Sequence, residues 1–186
     1  MSTALIIVIA LLVLLILYGI MKYNSFISQR ARIEEAWADI DVQLKRRYDL
    51  IPNLMDAVKG YMEHEQKTFL KVTEARSQAM QADTVAEHQE AENMLSGALK
   101  SLFAVSEGYP ELRATENFQQ FQTELSDTEN KIQAARRFYN ANVRDYNTDV
   151  EQFPENAVAN MAGFDKSEYF DLEEGSEARE NVNVEF

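Results

Sequence analysis

The sequence predicts an all-α protein: an N-terminal transmembrane helix followed by an antiparallel up-and-down four-helix bundle with two long and two short helices. Three observations lead there. Residues 4–21, ALIIVIALLVLLILYGIM, carry no charge, and the first charged side chain is Lys22. Beyond that run, apolar residues recur at spacings of three, four and seven, the period of a helix that buries one face. Alternation at every second residue, the mark of a strand, is confined to the last five residues, VNVEF.

The apolar run comes first. Its 18 residues at about 1.5 Å rise give roughly 27 Å, enough to cross a hydrocarbon core. A cleaved signal peptide would need a basic stretch, a shorter apolar core and a small-residue cleavage site. Only Met-Ser-Thr precedes this run, and LYGIMKYN offers no A-x-A pattern. Residues 1–22 are therefore expected to be a single-pass anchor, residues 23–153 a helical domain, and residues 154–186 a C-terminal segment with an acidic tail. Lys22, Arg30 and Arg32 follow the run, and no Lys or Arg precedes it. The positive-inside rule then places the N-terminus outside and the helical domain in the cytoplasm.

The first bundle helix is expected over 28–60. On a wheel at about 100° per residue, Ile33, Ile40, Leu44, Ile51 and Val58 form one stripe, and Arg47 falls inside it. Lys45 and Arg46 point to solvent. A buried guanidinium requires a partner. Counting down both long helices from the turns at one end sets Arg47 opposite residues 126–129 and nominates Glu129. Pro52 removes one N–H and crowds the carbonyl of Tyr48, at about 3 kcal/mol in a straight helix. Because the stripe continues in register beyond it, a kink at Pro52 is expected, and a break at Asp49 is the weaker alternative.

The second helix is expected from residue 63 to 82 through Phe69, Val72 and Ala75. The third, over 85–107, opens with a capping-box pattern at Thr84 and Glu87. Gly108 and Pro110 stop it. The fourth, over 114–151, presents Phe118, Phe121, Leu125, Ile132, Tyr139, Val143 and Tyr146, and Pro154 ends it. At about 1.5 Å per residue the four measure roughly 50, 30, 35 and 57 Å. The two long helices therefore outrun the short pair. Their uncovered face comprises Ile33 and Trp37 on one helix and Tyr139, Asn140, Val143, Tyr146 and Asn147 on the other. An exposed apolar face of that kind marks an interface. Either a second copy or the segment AVANMAGFDKSEYF, with Val158, Met161, Phe164, Tyr169 and Phe170, is expected to cover it.

The net charge of −13 is uneven. Residues 22–62 carry seven Lys/Arg against six Asp/Glu, while residues 63–186 carry 11 against 25. That balance argues against nucleic acid as a partner. The absence of cysteine excludes disulfides, thiolate metal sites and a cysteine nucleophile. His64 opens HEQKT, but Thr68 stands where a zincin needs its second histidine. Tyr61 and Val85, three residues before His64 and His88, replace the glutamates of a di-metal bundle. There is no G-x-S-x-G and no phosphate-cradling glycine loop. No catalytic, cofactor or metal residue is nominated.

The segment AWADIDVQLKRRYDLIPNLMDAVKGYMEHE resembles the signature of the LemA family of bacterial membrane proteins. EGYPELRATENF, TENKIQAARRFYNANVRDYN and the ending GFDKSEYFDLEEGSEARENVNVEF resemble its later blocks, with Val182 where many relatives carry proline. The resemblance implies an anchored four-helix bundle in the bacterial inner membrane with no established catalytic activity. It also implies an HtpX-like membrane protease or a TPM-domain protein as partner, and one branch of the family belongs to magnetosome membranes.

The expected function is a non-catalytic, membrane-anchored helical scaffold that self-associates and contacts membrane-protein partners. The alternatives are an unrecognised hydrolase or metal-dependent enzyme, and an oligomeric membrane-remodelling protein. Residues 165–186 carry eight acidic and two basic side chains, yet Val182, Val184 and Phe186 alternate as one face of a strand. A groove that takes a free carboxylate by strand addition would recognise such an ending; docking on the chain's own bundle or on a neighbouring copy is the favoured reading.

Overall fold

The computed structural model describes residues 2–62 and 64–171, so Val182, Val184 and Phe186 lie outside the described residues. Among the described residues the chain is all-helical, with α1 Thr3–Lys59, α2 Gln66–Ala79, α3 Val85–Ser106, α4 Pro110–Arg113, α5 Glu116–Glu151 and α6 Glu155–Ala162. The described residues fall into two compact units that share the long helices: residues 2–41 with 134–169, and residues 42–133 with 170–171.

Helix α1 is a single run of 57 residues. Nothing between Lys22 and Lys59 except Pro52 opposes helix, so the expected anchor and first bundle helix are one element. It does not break at Asp49. Proline at position 52 cannot donate to the carbonyl of Tyr48, four residues back. That freed carbonyl instead accepts a hydrogen bond from Arg76 Nε of α2 at 2.8 Å. A buried main-chain acceptor left unpaired would cost a lost hydrogen bond, so α2 repairs the defect that Pro52 makes.

In the second unit, α2 packs against α3. Val72, Ala75 and Ala79 of α2 are buried, as are Ala91, Leu95, Leu99 and Leu102 of α3. Leu44, Ile51, Leu54 and Val58 of α1 and Phe118, Leu125 and Ile132 of α5 complete this core. Thr84 caps α3: its Oγ1 accepts from the Glu87 N–H at 3.2 Å, and Glu87 Oε2 accepts from the Thr84 N–H at 3.1 Å. The stop at Gly108 is followed by the four-residue α4, with Pro110 at its first position. Proline needs no N–H partner there; the last long helix starts at Glu116 rather than 114, with the Phe118 N–H donating to Thr115 Oγ1 at 3.4 Å.

In the first unit, α1 and α5 run beside α6 and the extended segment that follows it. Phe26, Ile33, Ala36, Ile40, Tyr139, Val143, Tyr146, Ala159 and Phe164 are its buried apolar residues. Helix α6 ends at Gly163, whose φ of 72° is the left-handed conformation of a helix C-cap. The Phe164 N–H then reaches back to the Ala159 carbonyl at 3.0 Å.

Candidate functional site

The polar centre of the second unit is built around Arg47, 3 % exposed on the inner face of α1. Its Nη1 lies 3.1 Å from Glu92 Oε2 of α3 and 3.2 Å from Glu129 Oε2 of α5. Its Nη2 donates to Ser96 Oγ at 2.8 Å. The hydroxyl of Tyr48, next along α1, donates to Glu92 Oε1. Arg47 and Glu129 thus meet, as the level count placed them. The fully buried partner, however, is Glu92, and the Glu129 side chain keeps 36 % of its exposure.

Burial pushes the Glu92 carboxyl above the ordinary carboxylate range, although Arg47 and the Tyr48 hydroxyl pull the other way and Glu129 adds to the rise. Loss of solvent around Glu92, more than the second carboxylate of Glu129, gives the site its tendency toward protonation. The energetic role follows from magnitudes. Each fully buried Leu, Ile or Val of the seam contributes about 1.5–3 kcal/mol. A buried ion pair is near neutral against apolar residues of the same volume, yet breaking one side costs about 3–5 kcal/mol. The apolar seam therefore supplies stability, and Arg47 with Glu92 specifies which faces of α1, α3 and α5 meet.

The first unit holds the other predicted residues. Tyr139 donates to the Glu168 carbonyl at 2.9 Å and Tyr146 to the Asp165 carbonyl at 2.8 Å. Asn147 Nδ2 donates to the Ser167 carbonyl, and its Oδ1 accepts from the Ser167 N–H, each at 2.9 Å. That side-chain amide pairs with a backbone as a neighbouring strand would. Trp37, half-buried, packs on Tyr139 with ring centroids 5.4 Å apart. Ile33 and Val143 are buried and Asn140 is half-buried. The chain's own residues 164–168 thus lie on this face. Of the covering side chains expected, Phe164 is buried and Met161 and Tyr169 are exposed, while Phe170, also buried, belongs to the second unit.

Glu92, Tyr48, Ser96 and Arg76 were not nominated from the sequence, although Glu92 shares the three-four spacing of Leu95, Leu99 and Leu102. A further unforeseen pair joins Lys22 to Glu155 of α6 at 2.6 Å. His64 is exposed and His88 half-buried.

These features define a class: an all-helical protein whose N-terminal helix is long and apolar enough to cross a membrane, and whose buried charges hold its own helices in register. The LemA family profile matches residues 36–186. The chain is 31% identical to Protein LemA of Metamycoplasma hominis over 157 residues, covering 79% of this chain and 70% of that protein. It is also 24% identical to Magnetosome protein MamQ 2 of Paramagnetospirillum magneticum, and 23% to Magnetosome protein MamQ of Magnetospirillum gryphiswaldense, spanning 65% of each. The chain belongs to the LemA family.

Proposed function

We propose that this protein is a non-catalytic scaffold of the bacterial inner membrane, anchored by the start of α1, with its helical part in the cytoplasm. The observation that carries the reading is the closed state of the charged cluster around Arg47. Arg47, Glu92, Glu129, Ser96 and Tyr48 direct their polar atoms at one another, which is the arrangement of a register lock and leaves no group presented to a substrate. The helices of the second unit are read as an up-and-down bundle, since α1, α2, α3 and α5 all contribute to the contacts around Arg47 and Tyr48.

Contact with partner proteins belongs to the same reading. Between α2 and α3 runs an open groove of about 480 Å³ lined by Lys71, Glu74, Ala75, Gln78, Met94, Gly97, Ala98 and Ser101. Leu70, Met80 and Met94 are exposed on these helices. Self-association, if it runs through apolar surface, falls to such places, because Tyr139, Tyr146 and Asn147 are already engaged by residues 165–168. Crosslinking in native membranes followed by mass spectrometry tests the scaffold reading. Links from α2 or α3 to membrane proteins or to a second copy are the expected result. Turnover by the purified chain in a broad hydrolase screen, lost in Arg47→Met, would overturn it. A reporter active only outside the cytoplasm, fused after Phe186, should stay silent.

A further inference from the structure

The first unit carries a short apolar surface that neither the anchor nor the scaffold reading uses. Phe153 and Met161 are 84% and 90% exposed, more than any side chain of the apolar run, whose highest is Leu15 at 70%. They flank and belong to α6. On the helical wheel Glu155 and Ala159 face inward and are buried, while Ala157 and Met161 point away and Val158 lies at the edge. The composition is unusual for this chain. Charged residues make up 26% of the whole, yet from Phe153 to Phe164 the only one is Glu155, and it is paired with Lys22.

The position of α6 along α1 gives that surface a meaning. Glu155, in its first turn, bonds Lys22, the first charged residue after the apolar run. Phe164, just past its end, stacks on Phe26 at 4.9 Å and packs against Tyr23 at 5.5 Å. Lys22 and Phe26 are four residues apart, roughly 6 Å along the axis, whereas an eight-residue helix is about 12 Å long. Helix α6 therefore crosses α1 obliquely, at the level where the apolar run ends. For a span standing near the membrane normal, α6 lies toward the membrane plane with Phe153, Ala157 and Met161 turned away from α1.

We propose that α6 is an interfacial helix: Phe153 and Met161 insert at the boundary between lipid headgroups and acyl chains, and the Lys22–Glu155 pair holds α6 at that depth. Helices of this kind bury an apolar face roughly 5–10 Å into the boundary. The paired Glu155 removes the one charge that would oppose insertion. The occupant is lipid, because α6 lies at the level where the apolar run ends and from Phe153 to Phe164 no charged side chain other than that paired glutamate interrupts the patch. The chemistry requires no particular headgroup. This inference rests on the reading that residues 4–21 cross the bilayer.

The natural absence of cysteine makes the test direct. Single-cysteine variants of the full chain, Leu14→Cys, Phe153→Cys, Met161→Cys and Ser101→Cys, are nitroxide-labelled and reconstituted in phosphatidylcholine–phosphatidylglycerol vesicles. Collision with oxygen, which concentrates in lipid, is compared with collision with a water-soluble nickel chelate. All four positions are exposed, so labelling leaves the fold intact. The expected result is Leu14 deep in the bilayer, Phe153 and Met161 shielded from nickel and open to oxygen at shallow depth, and Ser101 fully open to nickel. Labels at 153 and 161 as open to nickel as Ser101, with Leu14 deep, would overturn the proposal and leave the anchor standing. Leu14 open to nickel would overturn both. Labels at 153 and 161 shielded from both agents would place protein, such as a second copy, on the patch and would also overturn it.

Discussion

Replacing the buried pair Arg47–Glu92 piecewise and then together separates a register lock from a net source of stability. Glu92→Ala leaves the guanidinium of Arg47, 3% exposed in the native chain, with only the partly exposed Glu129 and the Ser96 hydroxyl to answer it. Tyr48 loses its acceptor as well, although the Ala79 carbonyl stands 3.5 Å from its hydroxyl. The expected loss is about 3–5 kcal/mol. Arg47→Ala strands Glu92 instead and should cost the same range near pH 7.5. Glu129→Ala should cost about 1 kcal/mol or less, since its side chain is over a third exposed and exposed pairs contribute little. The double replacement Arg47→Met with Glu92→Leu removes both charges and keeps the volume, so it should lose less than either alanine variant.

The assay is urea unfolding of the full chain in detergent micelles, followed by far-UV circular dichroism. Acidity adds a second axis. Burial raises the Glu92 carboxyl, so the unfolded chain ionises first as pH rises. Folded stability from this group accordingly falls with rising pH, from the ordinary carboxylate value up to the raised one, and is unaffected below that window. Without Arg47 the rise is larger. The cost of Arg47→Ala should therefore shrink as pH falls from 7.5 to 5, because Glu92 then takes a proton. A Glu129→Ala loss equal to that of Glu92→Ala, or a double-replacement loss equal to the sum of the singles, would refute the reasoning.

Arg76→Ala should cost about 1 kcal/mol in the native background and less beside Pro52→Ala, whose restored N–H can cap the Tyr48 carbonyl; equal costs in urea melts would deny that Arg76 compensates for Pro52. Asn147→Ala removes both hydrogen bonds to Ser167 and should raise trypsin cleavage after Lys166 roughly ten-fold or more, as opening of residues 165–168 becomes easier; an unchanged digestion rate counts against that docking. The backbone N–H groups of Asp83 and Thr84 hold the Glu87 carboxyl below its usual range. That contribution is complete above the ordinary carboxylate value and is lost as pH falls through the lowered one, so Glu87→Gln should flatten the acid limb of a thermal-melt pH series.

Much of the helical pattern was legible because periodicity is a local property. Ile33 to Val58, the Thr84–Glu87 box and the Gly108–Pro110 stop each declare themselves within one or two turns, and all have structural counterparts. Helix α6 did not. Its eight residues give barely two turns of period, its two asparagines are weak helix formers, and its inward Glu155 reads as polar until Lys22 is placed beside it. The join between anchor and first bundle helix was also drawn where composition changes, at residue 22, though no backbone signal interrupts the helix there.

The polar cluster was half legible, for a physical reason. Arg47 in an apolar stripe states a need, and so does a carbonyl freed by Pro52, but neither need can be met within its own helix. Their suppliers, Glu92 on α3 and Arg76 on α2, are single polar residues whose positions carry meaning only once the facing helix is known. Glu129 is legible because counting along two antiparallel long helices from a shared end fixes levels. Glu92 carries no signal of its own in the sequence beyond the three-four spacing it shares with Leu95, Leu99 and Leu102. A charged residue that keeps three-four spacing with buried leucines is better read as the second half of a pair whose first half stands in another stripe. On that rule Glu92 and Arg47 select one another from their sequence spacing, and Glu129, at the rim, becomes the partner that can be removed at least cost.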